Sequence, residues 1–390
     1  MIDRIEVFVT ELPTRIQRTF SSGSYDTGAP QDLLGKPVLV AIHGGGAVGY
    51  GQIRPISPGH FVADTVHSVV AAITEIYGPL LLGRHPSEFE AVQAAFDDRL
   101  AGNPAARAVL DSALHDLWGK QLGVPVARLL GGVSQPVIPI EWSVSMAADQ
   151  GKMLAEAERA VHQFGIRVLC LKAAGKGGWR QDVRNLEMVR KALGPDIVIG
   201  VDPNTGWTLA ETLAFLAAVR DFDLGYLEQP VERRDLRALA TIRAQAGGVP
   251  VMADESLFTL ADAFALAEAR AVDVFCIKHY KVGGLSAARK IAAVAEAANI
   301  KLNLGGLAVT SQLEAAASAH FHAAFPDRRM FGAAEFAFAL DTVGPDPLLT
   351  EPALVLKHGA VKLPEAPGLG VAVDAKALDR HTIHRAVVTP

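Results

Sequence analysis

The chain has 390 residues, 50% hydrophobic and 20% charged, with a formal net charge of −5. That is long for one ordinary domain and ample for a large core, so two domains or a barrel with a cap is expected. The mixed charges show no basic stripe and so argue against nucleic acid, no apolar run reaches the roughly 20 residues that span a bilayer, and two cysteines, Cys170 and Cys276, allow no disulfide framework.

The opening MIDRIEVFVTELP carries early charges and then alternates like a strand, unlike a secretory signal. A soluble, cytoplasmic protein is expected. Residues 20–36 read as a polar, glycine-containing loop, and PVLVAIHGGGAVGYGQI as a hairpin around its glycines. Residues 61–130 are helical in pattern, closed by Gly123 and Pro125. From about Ile138 the texture changes. Short apolar runs (IPIEWSVS, VLCLKA, IVIGVDPN, LGYLEQP, VPVMADES, VDVFCIKH, IKLNLGG and a last one around FGAAEF) alternate with seven helical stretches. Eight such units predict a closed α/β barrel of parallel strands. Residues 341–390 are strand- and turn-like and are expected to return to the first domain. The predicted division is 1–130, 131–340 and 341–390.

In such barrels the chemistry sits at the C-terminal strand ends. Lys172 ends the second strand, Asp202 the third, Glu228 the fourth, Asp254 the fifth and Lys278 the sixth, at steps of 30, 26, 26 and 24 residues, about one βα unit each. Any one of them has an ordinary explanation. A lone lysine snorkels from a rim, and Asp202 before PNTGW suits a helix cap. Five ionisable groups at five successive strand ends do not share such an explanation. Strands two and six face each other across a ring of eight, so two lysines flank the mouth and three carboxylates fill one arc. Convergent carboxylates require a cation, and oxygen ligands suit Mg²⁺ or Mn²⁺. Asn204 and Glu255 adjoin the acids. Cys170 and Cys276, two residues before each lysine, share its strand face and are expected to pack beneath it. Lys176 and Lys281 read as rim charges, and His279 and Tyr280 as loop or rim residues.

With these motifs in order, the chain resembles the muconate-lactonizing-enzyme subgroup of the enolase superfamily, the mandelate racemase/muconate lactonizing enzyme family. The matching segments are PVARLLGG (125–132), LCLKAAG (169–175), VDPNTGW (201–207), YLEQP (226–230), VMADES (251–256), CIKHYKVGG (276–284) and the tail TEPALVL…APGLGVAVD (350–374). The resemblance implies a modified TIM barrel, (β/α)₇β, under an N-terminal α+β capping domain completed by the C-terminal tail. It implies Asp202, Glu228 and Asp254 as Mg²⁺ ligands (possible substitute Mn²⁺) and Lys172 and Lys278 as acid/base groups on opposite faces of a small carboxylate substrate. The implied chemistry is removal of a proton α to a carboxylate through an enediolate. It would serve a muconate-type cycloisomerase or a racemase or epimerase of an amino-acid derivative, with a hydroxy-acid or succinylbenzoate-type dehydratase as the alternative.

Three positions bear on the choice. Cys170 stands where the subgroup usually has a first lysine, so Lys172 is expected to protonate more easily. Thr310 stands where lactonizing members carry an acid after the seventh strand. Glu335 matches their acid on the eighth. Phe20 and Tyr25, in the first cap loop (18–30), are candidate substrate contacts together with Asn204, Glu255, Thr310 and Glu335. The family is often oligomeric, so a homo-oligomer is expected.

Overall fold

In the computed structural model, which describes residues 1–13, 15–21, 23–26, 36–55, 63–147, 149–306 and 311–390, the first alternating run forms β1 (Ile2–Thr10). Part of the segment read as a loop is instead an antiparallel pair, β2 (Gln17–Phe20) and β3 (Gly23–Asp26); residues 27–35 lie outside the described residues. β4 (Val38–Gly44) turns through Gly45 and Gly46, at φ 57° and 78°, into β5 (Ala47–Ile53). Two positive φ values in succession suit glycine, and the turn matches the expected hairpin. The last strand of the chain, Thr382–Val388, pairs antiparallel with β1 and completes a four-stranded sheet.

The helix Pro104–Leu122 lies across this sheet. Its approach is close: a Cβ on Gly49 would sit 2.2 Å from the Ala113 carbonyl oxygen, and one on Gly51 2.2 Å from that of Val109. The glycines of GYGQ thus let helix backbone touch strand backbone. Asp116 of that helix accepts hydrogen bonds from the Tyr50 N–H and the Leu369 N–H, both at 2.7 Å, tying sheet, helix and tail together.

The run IPIEWSVS divides at Ile140. β6 (Val137–Pro139) pairs with Ala360–Lys362 of the tail, while β7 (Glu141–Val144) enters the barrel. β8 (Val168–Lys172), β9 (Val198–Asp202), β10 (Tyr226–Glu228), β11 (Val251–Ala253), β12 (Val274–Ile277) and β13 (Lys301–Leu304) follow in parallel, each beside the next. The eighth run closes the ring. Phe331 and Glu335 donate backbone hydrogen bonds to Leu302 and Leu304 of β13, and Ala334 exchanges bonds with Pro139 and Glu141. Most of the intervening helices begin at side-chain caps, among them Thr208 and Thr259 in reciprocal capping boxes with Glu211 and Asp262, while Gly178–Leu193 and Leu285–Ala297 begin after glycines without one.

One apolar core lies between barrel and helices and a second fills the N-terminal unit. A small third cluster, Cys170, Tyr226, Met252, Val274 and Cys276, plugs the barrel interior. Gly200 leaves room for the Tyr226 ring, since a Cβ there would sit 2.1 Å from its Cζ. Among the described residues no helix is long and apolar enough to cross a membrane.

Candidate active site

The strand ends deliver the five ionisable groups to one place. Lys172, Asp202 and Glu228 are the last residues of β8, β9 and β10, and Asp254 and Lys278 follow β11 and β12 directly. None is more than 5% exposed. The arrangement is nearly mirror-symmetric about Glu228. On one side Lys172 Nζ donates to Asp202 Oδ2 at 2.5 Å; on the other Lys278 Nζ donates to Asp254 Oδ2 at 2.6 Å. Glu228 lies between. Its Oε1 has no hydrogen-bond partner among the described residues, and its Oε2 lies 4.0 Å from Cys170 Sγ.

Burial weakens every one of these acids, and the lysines offset it unequally. Asp254 is buried, but Lys278 and Lys281 more than compensate and hold its carboxyl well below the usual range. Glu228 has no such partner: burial and then repulsion from Asp202 push it well above the usual value, against the pull of Lys172. Burial and then Asp254 push Glu255 up to about 8. Burial opposes charge on Lys172 and Lys278 as well, yet the adjacent Asp202 and Asp254 hold both ammonium groups well above their ordinary pKa. A buried carboxylate oxygen without a partner, repelled by two neighbouring carboxylates, is the signature of a site short of positive charge. Asp202, Glu228 and Asp254 therefore fit a divalent cation.

The neighbours order these groups. Asp202 is not a helix cap; its Oδ1 accepts from the Asn204 N–H at 2.8 Å, and the next helix is capped by Thr208. Asn204, at φ 46°, gives its side-chain amide to Glu255 Oε1 at 3.1 Å. Ser21, in the β2–β3 turn, donates to the Asn204 carbonyl at 3.3 Å, which lays that hairpin over the mouth. The side chains of Phe20 and Tyr25 and the whole of Thr310 lie outside the described residues. Glu335 comes within 3.9 Å of Lys172 Nζ and accepts from the Gly306 N–H at 3.2 Å.

Two sequence expectations are corrected. Lys281 is not a rim charge: it is 0% exposed and donates to Asp254 Oδ1 and the Asp254 carbonyl, both at 2.6 Å, and to the Cys276 carbonyl at 3.1 Å. His279 and Tyr280 are likewise buried, because His279–Val282 coils into a helical turn that folds these side chains inward. Lys176 is exposed.

Sequence reasoning missed Glu141 and Gln229. Glu141 opens β7 facing the interior, where burial and then Glu335 push it up to about 8. An acid inside the apolar run IPIEWSVS was the available signal. Gln229 links two strand ends: its Oε1 accepts from the Asp254 and Ser256 N–H groups at 3.1 and 3.0 Å, and its amide donates to Ser256 Oγ at 2.8 Å. A cavity of about 760 Å³ lies at the opposite end of the barrel among Arg243, Asp273, Lys301 and Phe331, away from the clustered acids.

Residues 5–131 match the family described as mandelate racemase / muconate lactonizing enzyme, N-terminal domain, and residues 152–377 match enolase C-terminal domain-like. The chloromuconate cycloisomerase of Cupriavidus necator is 30% identical over 391 residues, covering 98% of this chain and 99% of its own. The L-Ala-D/L-Glu epimerase of Bacillus subtilis (strain 168) is 32% identical over 340 residues, covering 86% and 88%. The crystal structure of N-succinyl Arg/Lys racemase from Bacillus cereus ATCC 14579 superposes with a TM-score of 0.88 at 28% identity, covering 99% of each chain.

Proposed function

The chain belongs to the mandelate racemase / muconate lactonizing enzyme family of the enolase superfamily, and on that premise we propose a Mg²⁺-dependent isomerase that moves the proton α to a carboxylate, best described as a racemase or epimerase of an N-acylated amino acid or dipeptide. The observation that carries this reading is the paired lysines, each buried and each on its own aspartate, on opposite sides of Glu228. Inverting a stereocentre needs one base on each face, and a single acid suffices for lactonization. The N-succinyl Arg/Lys racemase and the L-Ala-D/L-Glu epimerase among the similar proteins are named for such reactions.

Asp202, Glu228 and Asp254 would hold a hard divalent ion, which would supply positive charge where the substrate carboxylate gains negative charge. The protein's own groups do the rest. Lys172 and Lys278, once clear of Asp202 and Asp254, lose the attraction that raises their pKa while keeping their burial, which favours the neutral amine. One takes the α-proton and the other returns one to the opposite face. Glu255, held by Asn204, keeps its place beside Asp254. The β2–β3 hairpin, anchored through Ser21, limits water access.

Cycloisomerisation is the second reading, favoured by Glu335, which stands beside Lys172 and so distinguishes the two lysines. The deciding experiment is proton NMR in D₂O with Mg²⁺ on pooled dipeptides, N-acyl amino acids, proline derivatives and cis,cis-muconate. Deuterium at an α-carbon together with a new stereoisomer is the expected result. Conversion of muconate to its lactone without exchange on any amino acid would overturn the first reading in favour of the second, and loss of a hydroxyl from an added hydroxy acid would point to a dehydratase.

A further inference from the structure

The cavity of about 760 Å³ at the far end of the barrel takes no part in the chemistry proposed for the strand ends. Its volume falls within the roughly 300–1,000 Å³ of small-molecule sites. Val249, Pro250, Val274 and Phe331 give it apolar surface. Val274 is 1% exposed and belongs to the interior plug, and Phe331 meets the Tyr226 ring edge-on with centroids 5.8 Å apart, so this floor is anchored. Three cations, Arg243, Arg270 and Lys301, line the same cavity with one carboxylate, Asp273.

That carboxylate is already engaged. Asp273 Oδ1 accepts from Arg243 Nε at 2.7 Å and Oδ2 from the Val251 N–H at 3.0 Å. Its backbone is tied to both neighbouring strands, donating to the Val251 carbonyl at 2.8 Å and accepting from the Lys301 N–H at 3.0 Å. The Arg243 guanidinium is fixed in turn, since Nη1 donates to the Arg270 carbonyl at 3.3 Å, and Nη2 makes no hydrogen bond among the described residues. The side chains of Arg270 and Lys301 have no partner among the described residues. Arg270 also stands at φ 49°, just past the end of the helix Leu260–Glu268, where glycine is the usual residue. Like charges gathered around one cavity repel each other, and an anion among them relieves that repulsion.

We propose that this cavity binds a small organic anion with an apolar body, of the aromatic carboxylate class, its carboxylate among Arg243, Arg270 and Lys301 and its ring against Phe331 and Val274. A guanidinium already held at Nε and Nη1 presents its remaining nitrogen to a planar carboxylate at little further cost in order. Charge-assisted bonds fix the head group. The apolar floor takes the ring, a contact that inorganic phosphate cannot make. The inference is independent of the α-proton reaction and of the carboxylates at the opposite mouth.

The test is fluorine NMR of 4-fluorobenzoate titrated with the full-length protein in EDTA, which keeps divalent cations from holding the probe at the carboxylate centre. The expected result is saturable binding that weakens at least about tenfold when Arg270→Asn and Lys301→Gln are combined, the loss of two charged contacts. Both residues are exposed, and asparagine tolerates the positive φ at 270, so the double variant keeps its fold, which circular dichroism checks. Lys172→Ala, at the other end of the barrel, should leave the affinity within about twofold of wild type. Neutral 4-fluorobenzamide should bind at least about tenfold more weakly than the benzoate. Absence of saturable binding up to about 10 mM probe overturns the inference. So does an affinity unchanged in the double variant, an affinity lost in Lys172→Ala, or equal binding of the amide.

Discussion

Replacing Lys281 by methionine tests whether Asp254 is built as a charged anchor. Methionine keeps an unbranched chain of similar length, so contact with the Phe258 ring, 5.5 Å from Nζ, largely survives. What is lost is electrostatic. Asp254 Oδ1 loses a charged donor at 2.6 Å, and the Asp254 and Cys276 carbonyls lose theirs, all in a region of 0% exposure for Lys281 and Asp254. Removing one partner of a buried ion pair costs about 3–5 kcal/mol, because the remaining charge stays buried. Lys278 still donates to Oδ2, which places the expected loss near the lower figure. Urea unfolding of metal-free protein, wild type against Lys281→Met, reads it directly. With saturating Mg²⁺ the deficit should shrink, since a cation binding the native state stabilises it and neutralises the stranded oxygen. A loss under about 1 kcal/mol without metal, the size of a surface pair, would refute the argument. A deficit unchanged by Mg²⁺ would remove Asp254 from the proposed ligand set.

Lys172→Ala and Lys278→Ala should each lower turnover at least about 10²-fold, the scale of a lost general acid or base, while leaving α-proton exchange on one stereoisomer only; activity within tenfold of wild type for either would end the two-base assignment. Glu228→Gln should weaken Mg²⁺ binding by calorimetry, and an unchanged affinity would exclude it as a ligand. Stability should also fall in mild acid through His320. Its ring is buried, its Nδ1 accepts from the Ala127 N–H at 3.2 Å, and burial lowers its pKa from 6.5 to about 4. Between those values the unfolded chain binds the extra proton, so stability is complete above pH 6.5 and declines toward pH 4 by about 1.4 kcal/mol per pH unit. His320→Gln should flatten the urea-midpoint profile in that window relative to wild type, and superimposable profiles would contradict this.

The barrel and its five ionisable strand ends were legible from the amino-acid order alone, because both follow from local periodicity. A βα unit has a narrow range of lengths, so residues spaced by one unit occupy equivalent places around a ring. That is why Lys172, Asp202, Glu228, Asp254 and Lys278 could be placed together without coordinates, and why the cysteines two residues earlier were expected to face inward. Tertiary structure decided what depends on where a side chain's far end goes. Lys281 lies three residues past Lys278 in a stretch that reads as a rim, and only the coiling of 279–282 turns it back under Asp254. Glu141 looks like one polar residue in an apolar strand until closure by the eighth run sets Glu335 and Lys172 nearby. The unequal charge on the three acids is of the same kind: Asp202 and Asp254 each receive a lysine and Glu228 receives none, because long side chains choose partners by distance through space, which sequence spacing does not encode.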